Sequence, residues 1–218
     1  MTPTFIRFVR SPVMQAQLVA SLCIVIGGFA AFLWKVRPAF LQETYGDMGM
    51  TYSPAVAFFY TGIILWNIAC VCKGRRVLSW IGLPFGGLIL LLLISLMAIG
   101  PALHVYTSIE SVSAQNASMM YSAASSIMSM VNFGLVGFLA IFFLSYDLAF
   151  PLRCSRFVGL LLCIDGVIAC IGYFLKQPLL RFETSWTAGM SLLSAFLFIA
   201  IGLCLYAMPR ELSKRSLL

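Results

Sequence analysis

One aspartate, Asp165, interrupts the apolar run Leu162-Cys163-Ile164-Asp165-Gly166. An ionisable side chain among residues of this kind is costly to bury, and by default it marks a functional site. Three roles suit it: a protonated carboxylic acid, a proton relay, or a counter-ion for a bound cation. A plainer alternative is a carboxyl group hydrogen-bonded to Ser, Tyr or backbone groups of a neighbouring helix. The sequence holds one histidine, His104. That excludes a bis-histidine haem within one protomer, and a zinc site would have to draw on Cys or carboxylates. Beside Glu110, His104 could form a pH-sensitive pair. Asp165, His104 and Glu110 are therefore the candidate ligand-binding or relay residues. Asp147 lies close to Arg153 and Arg156 in sequence, where a local ion pair accounts for it.

The seven cysteines are scattered, with no C-x-x-C, which argues against a thiol-redox enzyme. Cys70-x-Cys72 directs its sulfurs to different helix faces. Asn116-Ala117-Ser118 fits a glycosylation acceptor and acquires meaning only in a eukaryotic host. The chain has no Walker loop, H-E-x-x-H, G-x-S-x-G or dinucleotide fingerprint. No catalytic constellation emerges, so the expected protein is not an enzyme, and no metal or cofactor is implied.

The elements that must position these residues follow from composition. The chain is 61% apolar and 10% charged, with mean hydropathy +1.00. A soluble domain of this length needs more charge to cover its surface. Trp80–Leu103, Ser111–Tyr146 and Thr184–Pro209 contain no charged residue. An α-helix needs roughly 20 apolar residues to cross the bilayer core. The reading is all-α: a polytopic membrane protein with six spans near 17–34, 54–72, 82–101, 128–146, 157–175 and 187–207. A transmembrane barrel is excluded because its strands alternate apolar and polar residues. The net charge of +7 is a topology signal. With the N-terminus inside, ten of the 14 basic residues fall on cytoplasmic segments, which places both termini in the cytoplasm. The spread of basic residues over several short segments argues against nucleic acid as a partner. The first span reads as retained rather than as a signal peptide. Trp34, Trp80 and Trp186 fall at span ends, as interfacial anchors do.

A Phe-x-x-x-Gly pair occurs in each even-numbered span, as Phe58/Gly62, Phe133/Gly137 and Phe198/Gly202. Pro54, Ser129 and Ser194 stand four residues before each Phe. This spacing predicts one hairpin used three times, in units of about 14–73, 78–150 and 156–209 of a single domain, 1–218, with a basic tail at 209–218. Phe and Gly at i and i+4 share a helix face. The glycine admits a neighbouring backbone and the ring fills the space beside it, so the pair reads as packing glue. A ligand groove lined by the three rings is the alternative. The connection from Pro101 to Ile127 is rich in small, helix-tolerant residues, which suggests a surface helix.

The segment Met50-Thr51-Tyr52-Ser53-Pro54-Ala55-Val56-Ala57-Phe58, ending at Gly62, has a counterpart in Met190-Ser191-Leu192-Leu193-Ser194-Ala195-Phe196-Leu197-Phe198, ending at Gly202. Together with Gly172-Tyr173-Phe174, these resemble the integral-membrane input regions of bacterial sensor histidine kinases and diguanylate cyclases. The middle copy departs from that pattern, with Ser125-Ser126 in place of the Met-Ser start. The resemblance implies a sensor in the bacterial inner membrane that detects a ligand or membrane state. After Met208 the sequence holds no output domain, so the expectation is either a stand-alone input module with a protein partner or a fragment of a longer sensor whose C-terminal signalling domain is missing. The bilayer is itself a partner, and a homodimer is an option. The alternative is a small repeat-built transporter with Asp165 as its coupling carboxylate.

Overall fold

The computed structural model describes residues 11–36, 50–74, 82–95, 126–143, 149–183 and 189–215, with side chains as far as 209 in the last segment. His104, Glu110, Asp147, Asn116, Trp80, Trp186 and the expected surface helix lie outside these residues. Six α-helices account for most of the described chain: α1 Pro12–Val36, α2 Tyr52–Cys72, α3 Gly82–Ser95, α4 Ile127–Phe142, α5 Ala149–Phe174 and α6 Leu192–Arg215. Among the described residues there is no strand. Four stretches are long and apolar enough to cross a bilayer: α1, α2, α5 and the Leu192–Pro209 part of α6. α3 and α4 are apolar but shorter. In a bilayer the helix is favoured because it satisfies every backbone group within the segment.

The helices pair as antiparallel hairpins, α1 with α2, α3 with α4 and α5 with α6. α2, α4 and α6 form the centre. Each outer helix also touches the inner helix of another hairpin: α1 packs on α6, α5 on α4, and α3 on α2 through Gly82 and Gly86. The outward faces are apolar. Leu18, Leu22, Val25, Phe29 and Phe32 line the exposed side of α1 at helical spacing, and Phe157, Leu160, Ile164, Val167 and Ile171 line that of α5.

Glycines bring the hairpin backbones together. A Cβ on Gly27 would fall 2.6 Å from the Ala55 carbonyl and from the Phe59 nitrogen. On Gly166 it would fall 2.7 Å from the Ala195 carbonyl and 3.3 Å from the Ile199 nitrogen. Gly62 meets the Ala20 carbonyl and Ile24, as Gly202 meets the Gly159 carbonyl and Cys163. The first and third hairpins thus share one contact register. In the second, a Cβ on Gly137 would lie 3.4 Å from the Gly87 carbonyl and from Leu91, an ordinary distance, although one on Gly87 would fall 2.9 Å from the Gly137 carbonyl. Ile94 stands there where the register places Gly27 and Gly166, and a Cβ on Gly134 would lie 3.8 Å from its Cδ1.

The inner helices also start alike. Ser126 caps α4 by accepting from the Ser129 N–H at 3.1 Å, and Ser191 accepts from the Ser194 N–H at the same distance. Thr51 occupies the corresponding N-cap of α2 without a side-chain cap bond. The reason is Pro54, which has no N–H to offer.

Two boundaries differ from the sequence expectation. α5 begins at Ala149, so Arg153 and Arg156 lie on its first turns and not in a connecting turn. α6 runs through Pro209 to Arg215 and takes in most of the expected tail. Pro209 cannot donate to the Leu205 carbonyl, which would normally leave that acceptor without its helical partner. The buried Ser155 hydroxyl of α5 approaches the Leu205 carbonyl at 3.3 Å while also bonding the Leu152 carbonyl at 2.9 Å. Ser155→Ala is expected to lower the unfolding free energy by about 1–2 kcal/mol, since it removes a donor from a buried carbonyl. Unfolding of both chains in the same detergent measures the difference.

The connection after α5 is described as far as residue 183 and again from 189. A 3₁₀ turn, Pro178–Arg181, follows α5. The Arg181 guanidinium pairs with Glu183 at 2.8 Å and lies 5.1 Å from the Tyr173 ring centre, while its carbonyl accepts from the Met190 N–H at 2.7 Å. Trp34, at the end of α1, donates to the Met50 carbonyl at 2.7 Å and ties the first hairpin at its corresponding end.

Candidate functional site at the aromatic centre

The residues of the Phe-x-x-x-Gly pairs divide the work between two directions. Each glycine faces the outer helix of its own hairpin. Each phenylalanine points to the middle, where the three rings meet. Phe58 and Phe133 lie 4.8 Å apart edge to face, Phe58 and Phe198 4.9 Å apart, and Phe133 and Phe198 5.1 Å apart. All three are fully buried. These separations fall within the favourable range for aromatic pairs. The rings fill the centre themselves, and each comes from a different hairpin.

Asp165 sits on the inward face of α5 with Leu162 and Ala169, and only 6% of it is exposed. Its neighbour Gly166 touches Ala195 and Ile199 of α6, which brackets Phe198. The carboxyl group is therefore level with the aromatic centre. Its polar neighbour across the interface is Asn132 of α4, the residue before Phe133. Asn132 is fully buried, and neither its Nδ2 nor its Oδ1 makes a hydrogen bond of good geometry. Thr61, one turn beyond Phe58 on α2, is likewise fully buried with an unpaired hydroxyl. Unsatisfied polar groups of this kind are rare and call for an explanation. Among the described residues Asp165 forms no ion pair; the ion pair found there joins Arg181 to Glu183.

In the shared contact register these three residues break an apolar rule. Ala57 and Leu197 stand where the second hairpin has Asn132. Ile26 and Leu93 stand where the third has Asp165, and Val136 and Ile201 where the first has Thr61. Sequence reading found Asp165 through its charge but missed Asn132 and Thr61. Aligning the three Phe-x-x-x-Gly copies would have exposed Asn132 as the polar residue before one Phe.

Chemically, a buried carboxyl group facing an amide can donate a proton to Asn132 Oδ1 when protonated, or accept from Nδ2 when ionised. The amide serves both states without moving off the helix. Among the described residues no three His, Cys, Asp or Glu side chains gather as metal ligands. All seven cysteines are free thiols; Cys163 is near the Ile199 carbonyl at 3.5 Å, beside the α5/α6 glycine contact. Comparison with family models, curated proteins and solved structures gives no match.

Proposed function

We propose that the chain is a non-enzymatic membrane sensory or regulatory module, built from three repeated hairpins that cross the membrane six times with both termini in the cytoplasm. The observation that carries this reading is the aromatic centre. Within a hairpin, backbones touch at glycines, and such a unit moves as one body. Between hairpins, the described contacts at the centre are three rings and one carboxyl–amide pair. A stimulus that shifts one hairpin on the outer side displaces the rings and is felt at the cytoplasmic ends of the other two. An element of this kind can take two packings, as a switch requires. The input-region resemblance of Met50–Gly62 and Met190–Gly202 points the same way and names the output: a partner protein or a signalling domain.

A fusion tests it. The chain replaces the membrane input region of a histidine kinase, and autophosphorylation is read in membranes. The expected result is an output that changes several-fold on Phe133→Ala. An output indifferent to all three phenylalanines contradicts the proposal.

Asp165 against Asn132 favours a second reading, a transporter in which this pair binds the coupling ion. Solute or ion flux in proteoliposomes that collapses in Asp165→Asn, together with an indifferent kinase fusion, would replace the first reading with this one.

A further inference from the structure

A groove of about 390 Å³ opens on the outer surface of the bundle between α1 and α2, lined by Ser21, Ile24, Val25, Ile63, Trp66 and Asn67. The volume lies at the lower end of the ~300–1,000 Å³ of ligand sites. Trp66 is 41% exposed on this surface, roughly 10 Å along α2 from Lys73, so it stands inside the span and not at its end. Two of the lining residues, Ser21 and Asn67, are polar, and the Asn67 amide also borders α3, where a Cβ on Gly82 would fall 2.9 Å from it. In the shared register Leu88 and Leu160 correspond to Ser21, and Phe142 and Ala207 to Asn67. The other two hairpins therefore carry no polar side chain at either position.

The α1 face leads from the groove to a cation. Gln17 lies one turn from Ser21 on the same face of α1, and Lys73 is the C-cap residue of α2. The exposed Lys73 Nζ donates to Gln17 Oε1 at 2.6 Å, bridging the two helices. Neither α1 nor α2 contains an Asp or Glu, so neither helix supplies Lys73 with a carboxylate. The sequence continues Gly74-Arg75-Arg76 and adds two further positive charges. Asn67 Nδ2 uses one hydrogen on the Ile63 carbonyl at 2.9 Å and keeps a second for another acceptor.

We propose that this groove binds one anionic phospholipid: an acyl chain lies along Ile24, Val25, Ile63 and Trp66, an ester carbonyl accepts from Asn67, and the phosphate sits at Lys73. Charge selects the occupant. An apolar slot that ends at an ammonium group without a carboxylate on either helix matches a lipid whose chain and negative headgroup are joined, and each basic residue near such a surface favours anionic lipid. The site is independent of the signalling reading and stands or falls without it.

Brominated lipids test it on the full chain in phosphatidylcholine vesicles. Dibrominated phosphatidylglycerol or dibrominated phosphatidylcholine is added at equal mole fraction, and the Trp66 signal is taken as the difference from Trp66→Phe. The expected result is quenching of Trp66 several-fold stronger by the brominated phosphatidylglycerol. Lys73→Gln, which alters an exposed side chain and leaves the helices intact by circular dichroism, should bring the two lipids close to parity. Ser21→Leu, which copies the corresponding residue Leu160, should reduce quenching by both. Equal quenching in the native chain identifies ordinary boundary lipid and overturns the proposal, as does an unchanged preference in Lys73→Gln. Absence of quenching by either lipid means that another helix covers the groove, and overturns it too.

Discussion

Alanine at Gly202 is expected to lower the stability of the bundle by about 2 kcal/mol, while alanine at Gly134 leaves it unchanged or raises it slightly. The added methyl group at Gly202 would fall 2.5 Å from the Gly159 carbonyl and 2.9 Å from the Cys163 nitrogen, so backbone must move. Overpacking of this kind costs about 3 kcal/mol at the upper end, and the gain in helix propensity from Gly to Ala returns about 1 kcal/mol. At Gly134 the nearest atom is Ile94 Cδ1 at 3.8 Å, ordinary contact, and only the propensity gain remains. Gly159 and Gly166, with backbone atoms at 2.6 and 2.7 Å, should behave like Gly202. Reversible unfolding of the variants in one detergent gives the ranking. Equal responses at Gly202 and Gly134 would contradict the close contact between α5 and α6.

Truncating the aromatic centre is the second large effect. Phe58→Ala, Phe133→Ala and Phe198→Ala are each expected to cost about 2–3 kcal/mol. That is less than the ~3–5 kcal/mol of soluble cores, because lipid is as apolar as the interior and chiefly the packing loss remains. The three rings touch pairwise, so their losses should not add. A double-mutant cycle on Phe58 and Phe198 is expected to show a coupling of about 0.5–1.5 kcal/mol, the value of an aromatic contact beyond its burial. Additive losses would mean that the rings do not meet.

The helical, membrane-type architecture was legible in the sequence because uncharged runs of this length leave the backbone few alternatives. The Phe-x-x-x-Gly spacing likewise marked residues that become fully buried at one point. It did not reveal the outer-helix partners. Ala20 with Gly27, and Gly159 with Gly166, lie two turns apart, a spacing hidden among many small residues of apolar helices. The Pro54, Ser129 and Ser194 positions were visible as an anomaly, and their meaning came only with the N-caps Thr51, Ser126 and Ser191. Asp165 stood out because it carries charge. Asn132 did not, since an uncharged amide barely disturbs hydropathy, although its burial opposite Asp165 makes it equally unusual. The Leu205 carbonyl that Pro209 leaves without its helical donor is approached by Ser155, a contact between residues far apart in sequence that no local pattern announces.

The central claim is that three hairpins meet through Phe58, Phe133 and Phe198. Its most direct test is a diazirine-bearing phenylalanine in place of Phe133, photolysed in the membrane, with adducts mapped by mass spectrometry. The expected adducts lie on α2 around Phe58 and on α6 around Phe198. Adducts confined to lipid or to α3 would contradict the claim.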